Sequence, residues 1–189
     1  MFASLILERL EMQLARAKLI RTDSYPYHIT SRSNNKEWFY IPIEDVWNYS
    51  VELLDESKKR FSIQVDAFVL MSNHYHLCVH TPKANIDSFM QYFNKNLGLK
   101  ISRHAGRVNR IFGAPYKWNL IKVEGYYLHV IRYIYQNPLR ASMVKCCLDY
   151  PYSDIKKQNF SKQELEWIKT PISKKESQST SKKLRRYNV

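Results

Sequence analysis

Hydrophobic and polar positions alternate along the chain in segments with two distinct periods. Over residues 3–20, Ile6, Leu7, Leu10, Leu14 and Ala17 recur every three or four positions and predict an amphipathic helix. Its polar face mixes Glu8, Glu11, Arg16 and Lys18, which suits docking on protein better than lying on a membrane. Pro26 marks a boundary, Tyr27–Ser31 reads as a short strand, and Asn34-Asn35 supplies turn chemistry. Residues 43–58 predict a helix with Val46, Tyr49, Ser50, Leu53 and Leu54 inward. The β-branched and aromatic run 61–71 and the run 74–81 flank Ser72-Asn73, which predicts a hairpin. A helix is expected over 85–103, with Phe89, Tyr92, Phe93, Leu97 and Ile101 on its apolar stripe. A Gly- and Arg-bearing loop follows over 104–116, then a strand over 117–123. A last helix, 125–136, ends near Asn137-Pro138. The order β-α-β-β-α-β-α predicts a ferredoxin-like α+β sandwich with an antiparallel sheet and an extra N-terminal helix.

Composition adds a partner class. The 189 residues carry 30 Lys+Arg against 17 Asp+Glu, a formal net charge of +13. A domain this basic, with 14% aromatic residues, points to a polyanion, and nucleic acid above a membrane surface. From residue 155 on, ten Lys+Arg face three Asp+Glu, so the chain divides into an N-terminal extension (1–24), a body (25–154) and a basic tail (155–189) expected to be flexible. No apolar run is long enough to cross a membrane, and the N-terminus makes a poor secretory signal. Cys78, Cys146 and Cys147, odd in number and two of them adjacent, fit reduced thiols and a cytoplasmic location.

Candidate chemistry centres on Asn73-His74-Tyr75-His76-Leu77. Alternate strand residues share a face, so His74 and His76 project together, ~7 Å apart along the strand, and can share a metal ion. Tyr75, Leu77 and Val79 face the other way. His-x-His alone is more often structural than catalytic. In the last helix Tyr133 and Asn137 stand four apart on one face, so an amide oxygen of Asn137 would complete a metal site beside Tyr133. Gln136, three residues from Tyr133, fits the same part. Tyr133 reads equally as one of several core aromatics.

The sequence resembles the REP-associated tyrosine transposases, single-tyrosine HUH transposases of bacterial insertion sequences. The resemblance rests on four segments in matching order: residues 27–32 (YHITSR), 67–77 (AFVLMSNHYHL), 117–121 (KWNLI) and 132–141 (RYIYQNPLRA). It covers roughly residues 25–154. It implies an HUH motif at His74, Tyr75 and His76, a nucleophile at Tyr133, and metal ligation by His74, His76 and Asn137 of Mg²⁺ or Mn²⁺. The implied substrate is single-stranded DNA carrying a foldback hairpin, cut through a 5′-phosphotyrosine intermediate by a bacterial, nucleoid-associated enzyme. The segment 109–117 (NRIFGAPYK) departs from the family's usual Gly-His-Leu-Phe-Gln-Gly-Arg-Phe-Lys. Candidate nucleic-acid contacts are His28, Arg32, Arg103, Arg107, Arg110, Lys117 and Arg140, each equally readable as solvated surface. The sequence leaves monomer and homodimer both open. Two rivals stand beside this reading: a non-catalytic, domesticated hairpin binder, and a nucleotide hydrolase of the histidine-triad type, whose third alternate histidine is here Cys78.

Overall fold

The computed structural model of the chain describes residues 19–172. Its regular elements are β1 (Tyr27–Arg32), α1 (Ile43–Phe61), β2 (Gln64–Leu70), β3 (His74–His80), α2 (Ile86–His104), β4 (Lys117–Leu120), α3 (Glu124–Tyr135), α4 (Asn137–Arg140) and α5 (Lys162–Lys169). The four strands form one antiparallel sheet in the order β2-β3-β1-β4. This is the predicted ferredoxin-like α+β arrangement, with the two longest strands next to each other.

Strand alternation gives the sheet two buried faces. Phe68, Leu70, Tyr75, Leu77 and Val79 pack under α1 and α2 with Val46, Leu53, Phe89, Phe93, Leu97 and Ile101. Ala67, Val69 and Cys78 pack on the other side with Val130, Ile131, Ile134 and Tyr135 of α3 and Ile168 of α5. A third layer therefore covers the face that bears the histidines. Tyr75 falls between them in sequence but points away, and its hydroxyl donates to Asn94 Oδ1 of α2 at 2.6 Å.

α1 carries Glu44 and Asp45 in its first turn and Lys58, Lys59 and Arg60 in its last, charges that oppose the helix dipole at both ends. It runs three residues past the predicted 58 and closes on Ser62 in the left-handed region at φ 55°. That reversal is why the strand expected from 61 starts only at Gln64. Tyr49 and Tyr92, both placed on inner faces by periodicity, are only half-buried. Their hydroxyls reach out to His104 Nδ1 and Glu56 Oε2.

One domain expectation lies outside the described residues and another changes. The helix expected over 3–20 lies outside the described residues except for Leu19 and Ile20, which are irregular. The segment 155–172, read as the start of a flexible tail, is packed. Ile155 and Ile168 are buried against α3. α5 starts with a capping box in which Ser161 Oγ accepts from Glu164 N and Glu164 Oε2 accepts from Ser161 N. Lys156, Lys157 and Lys162 are exposed, so these residues raise the segment's charge without touching its core anchors. Among the described residues no helix is long and apolar enough to cross a membrane.

Candidate active site

Register builds the site from three elements. β1 lies against β3 so that Thr30 stands opposite His76, Arg32 opposite His74, and His28 opposite Cys78. Opposed residues share a face, so all six side chains point toward α3. Lys117 of β4 stands opposite Thr30 and joins the same row. α3 lays Tyr133 over this surface. Its ring meets His28 edge-on at 5.9 Å between centroids and His76 edge-on at 6.0 Å. The His74 and His76 rings are 5.2 Å apart, and the Arg140 guanidinium lies 5.0 Å from the Tyr133 ring centroid.

The helix that carries Tyr133 is fixed by polar anchors on both sides of it. Tyr135 Oη donates to Asp154 Oδ1 at 2.9 Å, and the same carboxylate oxygen accepts the Phe68 amide of β2 at 2.8 Å. Arg132 donates to the Thr170 carbonyl at 2.6 Å and stacks on Trp167. Gln136 Nε2 donates to the Ile168 and Thr170 carbonyls, while its Oε1 accepts the Ile172 amide. Gln136 is fully buried and fully used. The sequence-based alternative that gave it a metal-binding part is therefore corrected. Asn137 lies half-exposed beside it, and its amide nitrogen donates to the Tyr133 and Ile134 carbonyls at 2.8 and 3.2 Å. This fixes the amide's flip with Oδ1 turned away from the helix.

Hydrogen bonding also sets the histidine tautomers. Asn73 Nδ2 donates to the Lys36 carbonyl, which leaves Asn73 Oδ1 as the acceptor of His74 Nδ1–H at 2.7 Å. The lone pair of His74 is therefore on Nε2. His76 Nδ1 faces His28 Nε2 at 3.0 Å and Thr30 Oγ1 at 3.4 Å, which again leaves Nε2 as the outward atom. Imidazoles oriented through one nitrogen and open at the other are the form that binds a metal. Burial keeps them neutral. His28 is held down to about 4 by burial, and His74 to about 4 by burial and then by the Arg32 charge. His76 is pushed well below its ordinary value, first by burial and then by His28, His74, Arg32 and Arg140.

Among the described residues no three His, Cys, Asp or Glu side chains form a metal-holding group. The expected set needs none, since its third member is an amide. Two neutral Nε2 atoms and the Asn137 carbonyl oxygen fit a divalent ion that accepts mixed nitrogen and oxygen ligands.

The proposed DNA contacts separate into groups. Arg32, Lys117 and Arg140 are exposed and surround the histidine face. Arg103 sits at the end of α2, across the sheet from Tyr133, and Arg107 stacks on Tyr40 at 3.6 Å. Arg110 lies in the exposed loop before β4. His28 is corrected: at 3% exposure it lies stacked under His76, centroids 5.3 Å apart, and orients that ring instead of meeting a phosphate at the surface. Sequence reasoning included Thr30 and Asn73 in its segments but gave neither a role; the structure sets Thr30 Oγ1 and Asn73 Oδ1 against the Nδ1 atoms of His76 and His74. Cys78, the third alternate position, is fully buried with its thiol 3.8 Å from Asp66 Oδ2, so the histidine-triad arrangement is absent.

Burial of the histidines makes stability depend on pH. In chelator-containing buffer the folded chain keeps His28 and His74 neutral down to about pH 4, whereas unfolded histidines protonate near 6.5. Between those values the unfolded state binds more protons, so stability falls as pH drops, by up to ~3 kcal/mol per histidine. Urea midpoints measured from pH 7 to 4.5 should decline, and His28→Gln should decline less steeply. An equal slope in both proteins would mean that His28 is not held neutral.

The IS200-like transposase profile matches residues 22–137. No curated protein sequence matches the chain. Among solved structures, a REP-associated tyrosine transposase bound to a REP hairpin superposes with a TM-score of 0.69 at 17% identity, covering 84% of this chain and 92% of that one. A transposase-like protein from Deinococcus radiodurans R1 gives 0.43 at 14% identity, covering 64% and 93%. The first likeness establishes the shared fold. With a profile that spans both the histidine strand and the tyrosine helix, this chain belongs to the IS200-like transposase family.

Proposed function

We propose that the protein is a divalent-metal-dependent endonuclease and strand transferase for single-stranded DNA bearing a foldback hairpin, with Tyr133 as nucleophile. The observation that carries this reading is the placement of Tyr133 at 6.0 Å, ring to ring, from His76 of the histidine pair. The hairpin is taken from the structural relative, which holds one.

Residue roles follow from position. His74 Nε2, His76 Nε2 and Asn137 Oδ1 would hold Mg²⁺ or Mn²⁺. A bound divalent ion would supply charge relief to a non-bridging oxygen of the scissile phosphate. Arg140, Arg32 and Lys117 would draw the DNA backbone onto the histidine face. The Tyr133 oxygen forms a bond to phosphorus as the bond to the 3′ oxygen breaks. The phenol proton passes to solvent, and the departing strand ends in 3′-OH. The phosphotyrosine retains the phosphodiester's energy, so a later 3′-OH can displace the tyrosine and reseal DNA without a nucleotide cofactor.

The test is incubation of the purified chain with a labelled single strand containing a foldback hairpin. A covalent adduct is expected on a denaturing gel with Mg²⁺ or Mn²⁺, and its loss is expected with excess chelator. Hairpin binding with no adduct under any divalent ion would favour the domesticated binder and sink the nuclease reading.

A further inference from the structure

Trp38 is the most exposed aromatic side chain among the described residues, at 77%, while Trp47, Trp118 and Trp167 are half-buried. Tryptophan is highly buried on average, so an indole left in water adds little to the core and needs another explanation. Its neighbour Phe39 behaves in the opposite way. That ring is buried and meets Phe112 edge-on at 6.2 Å. The indole therefore stands outward from a backbone that is itself anchored.

The loop between β1 and α1 that carries Trp38 is laced to the turn before His74. Ser33 N donates to the Asn73 carbonyl at 2.8 Å, and Phe39 N donates to the Ser72 carbonyl at 3.0 Å. The Lys36 carbonyl accepts Asn73 Nδ2 at 2.5 Å, and Asn73 Oδ1 in turn orients the His74 ring. Trp38 is thus held at the His74 end of the sheet. The same loop is also bonded to the segment before β4, where Asn34 N donates to the Ile111 carbonyl at 2.7 Å and Arg107 stacks on Tyr40. Exposed cations lie on both sides of the ring along this loop, with Arg32 and Lys36 before it and Arg107 over Tyr40 after it. The one acid beside it, Glu37, has its carboxylate engaged by the Tyr40 hydroxyl.

We propose that Trp38 is a stacking platform for an unpaired DNA base next to the histidine face, with Arg32, Lys36 and Arg107 drawing in the flanking phosphates. The inference rests on the single-strand reading above and adds to it the residue that holds a base. An indole face accepts any base, and cations before and after it suit a chain with a phosphate on each side of that base. The base must be unpaired, because in a duplex both of its faces are covered by its neighbours. A protein partner is disfavoured because Asn34, Asn35, Lys36 and Glu37, all exposed and polar, precede the ring, so it is not the centre of a broad apolar surface.

The test reads binding in chelator, so that cleavage plays no part. The probes are a hairpin oligonucleotide with single-stranded deoxyadenosine tails and the same hairpin cut blunt. Trp38→Ala should lose about tenfold in affinity for the tailed hairpin and keep the parent's affinity for the blunt one. Trp38→Phe should recover most of the loss, and Trp38→Leu should not, since stacking needs a ring. One abasic nucleotide, moved along the tails, should find a position that weakens the parent and leaves Trp38→Ala unchanged. Equal affinity of parent and Trp38→Ala for the tailed hairpin would overturn the platform and leave the nuclease reading standing. A parent that binds neither probe would overturn both. An equal loss on the blunt hairpin would also overturn the proposal, as would a loss matched by a lowered urea midpoint, which would make the ring structural. Rescue by Trp38→Leu, or a parent dimer that Trp38→Ala dissolves in sedimentation, would give the ring to a protein surface and overturn it as well.

Discussion

Tyr133→Phe is expected to abolish the covalent protein–DNA adduct and to lower strand cleavage by at least ~10³-fold, the scale of loss when a nucleophile is deleted. The substitution removes one oxygen and keeps the ring. The edge contacts with His28 and His76 survive, as does the approach of Arg140 to the ring face. The anchors of the helix, Arg132, Tyr135 and Gln136, are untouched. Hairpin affinity and urea midpoint should therefore stay close to the parent's, which separates loss of chemistry from loss of structure. The adduct is read as a slower band on a denaturing gel with end-labelled DNA. If it persists in Tyr133→Phe, another group is the nucleophile, and the position of Tyr133 over the histidines needs a different explanation.

The second large effect lies on the opposite face of the sheet. Phe68→Ala is expected to cost about 3–5 kcal/mol, a large share of the ~5–15 kcal/mol that holds a typical domain. Phe68 stacks on Trp47 at 5.5 Å and meets Tyr75 and Phe93 at 5.9 and 6.4 Å. The resulting cavity cannot readily close, because the backbone of Phe68 is tied to Asp154 through its amide. A urea titration gives the loss directly. A cost below ~1 kcal/mol would show that the neighbouring rings collapse into the space. Adduct formation per folded molecule should remain, since Phe68 points away from the histidine face.

The parity of the strand made much of this site legible. Once 74–80 is a strand, His74 and His76 must share a face and Tyr75 must leave it, and both follow in the structure. Helical spacing likewise put Tyr133 and Asn137 on one surface. It could not rank Asn137 against Gln136, because three- and four-residue spacings both fit. The difference is made by the Ile168, Thr170 and Ile172 backbone, more than thirty residues away. His28 shows the same limit. In sequence it is a basic residue near the start of a strand, and only the pairing of β1 with β3 places it under His76. The packed stretch 155–172 was hidden because its lysines dominate composition, while a few apolar residues, among them Ile155 and Ile168, do the anchoring.

The clamp on α3 bears on how short this protein can be made. Arg132 and Gln136 flank Tyr133 in buried positions and have their hydrogen-bond partners in the backbone at 168–172. A chain ended at 154, at the edge of the sequence resemblance, would keep the histidines and the tyrosine. It would also remove the Ile168, Thr170 and Ile172 backbone groups that Arg132 and Gln136 bond to, on the helix that carries Tyr133. The stretch from 155 to 172 therefore serves as a splint for the tyrosine helix.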